Sequence, residues 1–370
     1  MAKIAINFEK YYACIIKFIN FFRGSNPGFA HYFSIFVRIQ TSSDKMKTIQ
    51  FREAIAEAMS EEMRKDESIY LMGEEVAEYN GAYKASKGML DEFGPERVID
   101  TPISELGFAG IGVGSAMNGN RPIIEFMTFN FALVGIDQII NNAAKMRQMS
   151  GGQFNIPIVF RGPTASAGQL AATHSQAFES WYANCPGLKV VVPSNPMDAK
   201  GLLKSAIRDD DPVIFMESEQ MYGDKGEVPE EEYTLPLGKA EVKREGTDVT
   251  IVSFGKIIKE AYKAAEELEG EGISCEIIDL MTVRPMDHDT ILESVRKTNR
   301  LVVLEEAWPF GNVATEITYQ VQSRAFDYLD APIVKINTAD TPAPYSPVLL
   351  QEWLPNHEDV IKAVKKVLYK

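Results

Sequence analysis

The chain has 370 residues, too many for one average core, so its length alone argues for two to three domains. Hydrophobic residues make up 45% and charged residues 24%, an ordinary globular balance, and the net charge of −14 has no basic run to break it, which argues against a nucleic-acid partner. Cys14, Cys185 and Cys275 lie far apart with no Cys-x-x-Cys pair, and read as reduced thiols of a cytoplasmic protein, not as a disulfide framework or zinc site.

Residues 1–45 do not match the rest. The apolar run 11–22 is interrupted by Lys17 and is too short to span a bilayer. Lys3 and Lys10 precede it, but no small-residue cleavage site of a signal peptide follows. A regular pattern starts at Met46, where Phe51, Ile55, Ala58, Met59 and Met63 fall on one helical face. Met46 is therefore the expected natural start, and 1–45 an unmatched leader, disordered or non-native. From there, apolar strand-like runs at 69–72, 97–100, 122–126, 156–160, 188–193 and 213–216 alternate with helical patterns at 106–117, 132–149 and 196–208. Continuous apolar strands separated by helices predict a parallel sheet covered on both faces. The acidic, proline-bearing stretch 223–240 predicts a solvated linker. Alternation resumes with strands at 248–254, 275–280, 301–305 and 333–336 and helices at 257–269, 287–296, 313–323 and 360–368. The expectation is an α/β protein of two doubly wound domains with mainly parallel sheets, 46–222 and 241–370.

The densest cluster of chemistry-bearing residues runs from Asp100 through Thr101-Pro102-Ile103-Ser104-Glu105 to a Gly-rich apolar helix ending beyond Gly114. Ligands of open parallel sheets sit outside the carboxyl ends of the strands, and Glu105 is at that level. From local features Glu105 reads first as a helix-cap partner and second as a functional acid. The glycines do not fit a dinucleotide fingerprint: a proline-bearing segment separates them from the strand, and Gly110, Gly112 and Gly114 miss the Gly-x-Gly-x-x-Gly spacing. They suit close helix packing. His174, one of four histidines, lies in a small-residue loop, where an imidazole either bonds to backbone or handles a proton.

Five further segments join the 100–114 cluster in one pattern: Met72-Gly73-Glu74-Glu75-Val76, Glu125-Phe126-Met127-Thr128-Phe129-Asn130-Phe131, Phe160-Arg161-Gly162-Pro163, His174-Ser175-Gln176 with Trp181-Tyr182, and Val283-Arg284-Pro285-Met286. In unbroken order from Met46 onward, the chain resembles the pyruvate dehydrogenase β-subunit family of thiamine-diphosphate 2-oxo acid dehydrogenases. The resemblance implies a transketolase-like pyrimidine-binding domain at 46–222 and a transketolase C-terminal-like domain at 241–370. It implies oxidative decarboxylation of pyruvate, with acetyl transfer to lipoyl groups of an acetyltransferase.

By that resemblance Glu105 contacts the aminopyrimidine of thiamine diphosphate, where a carboxyl shielded from water can share a proton with a ring nitrogen. Phe131 and Met127 form the pyrimidine pocket, Phe131 by stacking, and Ile103 lines the same wall; Phe126 and Phe129 fit ordinary core aromatics as well. His174 positions or protonates near the reacting carbon. A Gly-Asp-Gly run, which commonly holds diphosphate and Mg²⁺ in such enzymes, is absent, so an α subunit in an α₂β₂ assembly is expected to supply that half of the site. The resemblance further implies a potassium site from Ile158, Ala206 and Ile207 with Asp209 and Asp211, and acetyltransferase docking near Asp330 of the C-terminal domain. A branched-chain or acetoin dehydrogenase β subunit, or a non-catalytic assembly subunit of the same fold, are the alternatives.

Overall fold

The computed structural model describes residues 45–370. The leader expected at 1–45 lies outside the described residues apart from its last position. The strands are β1 (Met46–Gln50), β2 (Ile69–Gly73), β3 (Val98–Asp100), β4 (Arg121–Glu125), β5 (Val159–Pro163), β6 (Lys189–Val191), β7 (Val213–Glu217), β8 (Lys225–Pro229), β9 (Glu241–Arg244), β10 (Val249–Ser253), β11 (Cys275–Asp279), β12 (Thr282–Arg284), β13 (Leu301–Leu304) and β14 (Val334–Ile336). Seven of them form one sheet in the order β12-β6-β7-β5-β4-β2-β3, and five another in the order β14-β13-β10-β11-β9. Pairing is parallel throughout except at two edges, where β12 runs antiparallel to β6 and β9 antiparallel to β11. Central strands β5, β7, β10 and β11 are buried at every position, as strands covered on both faces must be.

Helices cover the sheets where the apolar periodicity predicts them. Phe51–Met63 buries Phe51, Ile55, Ala58, Met59 and Met63 on one face. It packs on Pro196–Arg208, which opens with an Asn195 cap and Pro196 in its first turn. Between these helices Lys200 and Lys204, buried, pair with Glu57 and Glu61 at 2.6–2.9 Å, and Arg208 makes two 2.7 Å bonds to Glu62. No helix of the described residues is long and apolar enough to cross a membrane.

One expectation needs correction. The helix expected at 132–149 is broken into Phe129–Ala132, a π-helical stretch Gln138–Ala143 and Ala144–Met149. Gly135 sits at the break, where a Cβ would meet the Glu105 carbonyl oxygen at 2.9 Å; this close approach interrupts the helical path. The stretch 223–240, expected as a linker, is exposed or half-exposed except at Val228; it carries β8 and seats Leu235, whose N–H donates to the Gly201 carbonyl at 3.2 Å. β12 comes from the second half of the chain and completes the first sheet, and residues Thr48–Val228 and Tyr233–Lys370 form one compact unit.

The turn into β6 shows how tightly that unit is closed. Gly187 has φ +100°, and a Cβ there would meet the Ala144 carbonyl oxygen at 2.0 Å. Gly88 has φ +80° but open space around it. Gly187→Ala should therefore destabilise by more than the roughly 1–3 kcal/mol of left-handed strain, whereas Gly88→Ala should lose the strain alone. Urea unfolding of the two variants side by side measures the difference; equal losses would remove the steric role of Gly187.

Candidate active site

The segments after the carboxyl ends of β3, β4 and β5 carry the expected residues. Glu105 opens the helix Glu105–Met117, is 7% exposed, and finds no hydrogen-bond donor among the described residues. Glu74, just past β2, lies close enough for the Glu105 charge to act on it; burial first, then that charge, raises its pKa. One carboxyl oxygen of Glu74 is buried with no partner. The glycines lie inside the helix and do not form a phosphate-binding turn: Cβ atoms at Gly110 and Gly112 would press on Gln138 at 3.2 Å and on Ile124 at 2.7 Å, while Gly114 faces open space. Two of the three thus serve close packing.

After β4 the chain turns through Thr128, which caps Phe129–Ala132 by accepting from the Asn130 N–H at 3.3 Å. Phe126 and Phe129 are fully buried and belong to the core, whereas Phe131 and Met127 are half-buried. Phe131 meets His174 edge to face, ring centroids 5.0 Å apart. Asn130 holds the two segments together: its side-chain oxygen accepts from both the backbone and the side-chain N–H of Gln176 at 3.1 Å. Glu219, after β7, acts electrostatically on His174 and accepts from the Tyr83 hydroxyl at 2.8 Å. Phe131, His174 and Asn130 are therefore brought together, and Gly135 packs this turn against the backbone of Glu105. Ile103 is 86% exposed.

At the base of the His174 loop lies a small cavity lined by Thr164, Ala165, Glu179, Phe254, Lys256 and Glu306. None of Asn130, Glu219, Lys256 or Glu306 was assigned a role from sequence. Asn130 lay inside a quoted motif and could have been singled out; the other three reach the loop through long-range folding. A separate cavity of about 970 Å³, lined by Trp181, Arg284, His288, Asn312 and Glu316, touches none of the expected cofactor residues.

The residues fit one half of a thiamine-diphosphate site. A carboxyl without an internal partner, an aromatic ring and an imidazole suit an aminopyrimidine and the substrate beside it. Among the described residues, no group of three or more His, Cys, Asp or Glu could hold a metal ion. At the expected potassium ligands, the Ile158 carbonyl accepts from Val213 N–H at 2.9 Å, the Ala206 carbonyl from Asp209 N–H at 3.3 Å, and the Ile207 carbonyl from Arg121 at 3.2 Å. Asp209 and Asp211 pair through their side chains with Lys189 at 2.6 and 3.2 Å, and Asp211 also with Arg147. Asp330, the expected docking residue, is exposed and pairs with Arg300 at 3.1 Å.

A family model described as the transketolase pyrimidine-binding domain matches residues 47–225, and one described as the transketolase C-terminal domain matches 238–360. A solved structure titled split gene transketolase, inactive beta4 tetramer, superposes with a TM-score of 0.72 at 23% identity, covering 87% of this chain and 98% of its own. The fold is thus that of the transketolase-like two-domain α/β proteins. Among curated proteins, pyruvate dehydrogenase E1 component subunit beta of Rhizobium meliloti is 58% identical over 88% of this chain and 71% of its own. The namesake from Rickettsia felis is 54% identical over 87% and 98%, and the mitochondrial subunit beta-1 of Oryza sativa is 52% identical over 90% of each chain. The chain belongs to the family of pyruvate dehydrogenase E1 component β subunits.

The acids around the small cavity make stability depend on pH. Burial pushes Glu179 up to about 7, and burial with the nearby Glu179 charge pushes Glu305 up to about 8, from 4.5. Both keep a proton in the folded chain that the unfolded chain has lost. Their stabilisation is full below pH 4.5 and disappears as pH rises through about 7 for Glu179 and about 8 for Glu305. Glu305→Gln removes one of these titrations. Between roughly pH 5 and 9 its unfolding free energy should fall less steeply than that of the unaltered chain; parallel curves from urea unfolding would contradict the assignment.

Proposed function

We propose that this chain contributes the pyrimidine side of a thiamine-diphosphate site, that an α subunit contributes the diphosphate and Mg²⁺ side, and that the α₂β₂ enzyme oxidatively decarboxylates pyruvate and transfers the acetyl group to a lipoyl arm of an acetyltransferase. The carrying observation is an unpartnered Glu105 whose backbone packs at Gly135 against the turn that carries Phe131, with Phe131 in turn edge to face with His174. When bound, the cofactor supplies the carbanion chemistry for cleaving the bond next to a carbonyl. Glu105 would hold a proton at the pyrimidine ring nitrogen, Phe131 and Met127 would fix the ring plane, and His174 would deliver or hold a proton on the substrate side. The α chain also accounts for exposed apolar side chains on and beside the Glu105 helix: Ile103, Leu106 and Ile111 are 86, 48 and 63% exposed. Ile103 would then meet the cofactor across the subunit boundary. Free, buried Cys185 and Cys275 suit the reducing cytoplasm, where we place the enzyme.

Glu105→Gln, reconstituted with the α chain, tests the reading. The amide keeps the size but cannot exchange the proton. Pyruvate decarboxylation with an artificial acceptor should fall on the order of 10²–10⁴-fold, with assembly intact by size exclusion and slowed proton exchange at the thiazolium carbon. An assembled variant with normal exchange and turnover would make Glu105 a helix cap only. A second variant concerns docking. We propose that Asp330 exchanges its Arg300 pairing for a basic residue of the acetyltransferase. Asp330→Ala should weaken that association, more at low than at high salt, and leave decarboxylation unchanged; identical affinities at both salts would remove Asp330 from the interface.

A further inference from the structure

The His174 loop is held from the second sheet as well as from the first. It leaves β5 at Thr164 and returns at Gln176. Its base is closed by Thr164 N–H to Glu217 carbonyl at 2.9 Å, Ala165 N–H to Gln176 carbonyl at 3.0 Å, and the Asn130 bonds to Gln176. Ser166 is gripped at both of its backbone groups. Its N–H donates to Glu306 at 2.7 Å, and its carbonyl accepts from the Lys256 ammonium at 2.7 Å. Lys256 and Glu306 pair with each other at 3.1 Å, their side chains 11% and 5% exposed. Lys256 also donates to Gln220 at 2.7 Å, beside the Glu219 that acts on His174.

These two residues come from the carboxyl ends of neighbouring parallel strands: Lys256 follows β10, and Glu306 follows β13. The segment they hold contains left-handed non-glycine residues, Ala165 and Ala171, each at φ +61°. Such backbone persists only where its surroundings over-determine it. Ala165 lies between the β5 anchor and the gripped Ser166. An ion pair serving only to join the two halves of the chain would not need to occupy both backbone groups of one loop residue.

Resting on the assignment of His174 given above, we infer that Lys256 and Glu306 are positioning residues that hold the 164–176 loop so that His174 stays edge-on to Phe131. Neither touches the reacting atoms. They fix the path of the loop, and the path of the loop places the imidazole.

The test uses the assembled α₂β₂ enzyme. Lys256→Met removes both donated bonds, Lys256→Arg keeps the charge, and Glu306→Gln keeps an acceptor for Ser166 while weakening the pair. In Lys256→Met, amide hydrogen exchange over 164–176 should speed up about tenfold or more, with exchange in the sheet strands unchanged. A catalytic group misplaced by about 1 Å costs on the order of 10²-fold, so kcat should fall by roughly that factor and KM for pyruvate by much less. Proton exchange at the thiazolium carbon, which reads Glu105, should stay normal. In a His174→Ala background the same substitution should cost under about twofold, because coupled residues are not additive. Lys256→Arg should restore most of the kcat. If Lys256→Met does not assemble, Glu306→Gln is read in its place, with smaller shifts in the same directions. Unchanged loop exchange, or losses that multiply with His174→Ala, would overturn the clamp. Normal turnover in His174→Ala would instead overturn the role of His174 itself, and with it the link drawn here; the two failures are told apart by the exchange data.

Discussion

Arg161 lies fully buried at the carboxyl end of β5, between Glu125 of β4 and Glu217 of β7. Two 2.7 Å bonds join it to Glu217, a further bond joins it to Glu125, and the Tyr222 hydroxyl donates to Glu217 at 2.7 Å. Burial opposes its charge, but the two carboxylates hold it protonated. Removing one partner of such a buried pair typically costs about 3–5 kcal/mol, because the other charge is left unpaired. Each of the three strands it ties leads into a segment of the site. β4 leads into Met127 and Phe131, β5 into the loop of His174, and β7 into the turn of Glu219. Gly73 of β2 can lie against the Glu125 carbonyl only because it lacks a Cβ, which would sit 2.5 Å from that oxygen. The polar bolt therefore sits one layer below the chemistry and sets the separation of the loops above it.

The second sheet has a different task. Its own strand ends present Lys256, Glu305 and Glu306, and these face the first sheet's loops. The arrangement follows from two parallel sheets whose carboxyl ends converge, with the ligand-facing loops of one becoming the floor for the other. The edge strand β12 reinforces this by completing the first sheet from the second half of the sequence. The hydrophobic core runs continuously across the two domains, from Phe126 and Phe160 to Val252 and Leu301.

What could be read from the sequence was local. The helix Pro196–Arg208 was legible to the residue because a cap, a first-turn proline and an apolar stripe agree. The buried parallel strands were legible because nothing else explains short unbroken apolar runs between amphipathic helices. The helix expected at 132–149 failed because Gly135 must approach the Glu105 backbone, a constraint from residues thirty positions away in the chain. β12 failed because three residues carry no periodicity. At the site, Glu105, Phe131 and His174 were visible through motif resemblance, but Lys256 and Glu306 were not. A lysine after one strand and a glutamate after another carry no signal until folding brings both to the backbone of Ser166. Arg121 was equally illegible: it sits far from Asp209 in sequence, yet its guanidinium reaches the Ile207 and Asp209 carbonyls at 3.2 and 3.0 Å.

The treatment of buried acids elsewhere in the chain gives Glu105 its meaning. Glu62 is paired with Arg208, Asp198 with Lys243, Glu217 with Arg161, and Glu306 with Lys256. Acids without a cation find hydrogen bonds instead: Glu305 accepts from Ala314 N–H and Asn337, and Asp279 from Ser194 and Met281 N–H. This chain thus supplies partners for buried carboxyls as a rule, as the cost of leaving a buried polar group unsatisfied, about 1–3 kcal/mol, requires. At the mouth of the first sheet the rule lapses twice in one place. Glu105 has no donor, and Glu74 beside it keeps a buried, unpartnered oxygen. Two close carboxyls without a cation also repel each other, so packing alone gives no reason to keep them there. A ligand that brings hydrogen-bond donors and a protonatable ring nitrogen to Glu105 removes that cost on binding. On the role proposed for Glu105, the local violation would be that of a site preorganised for such a ligand.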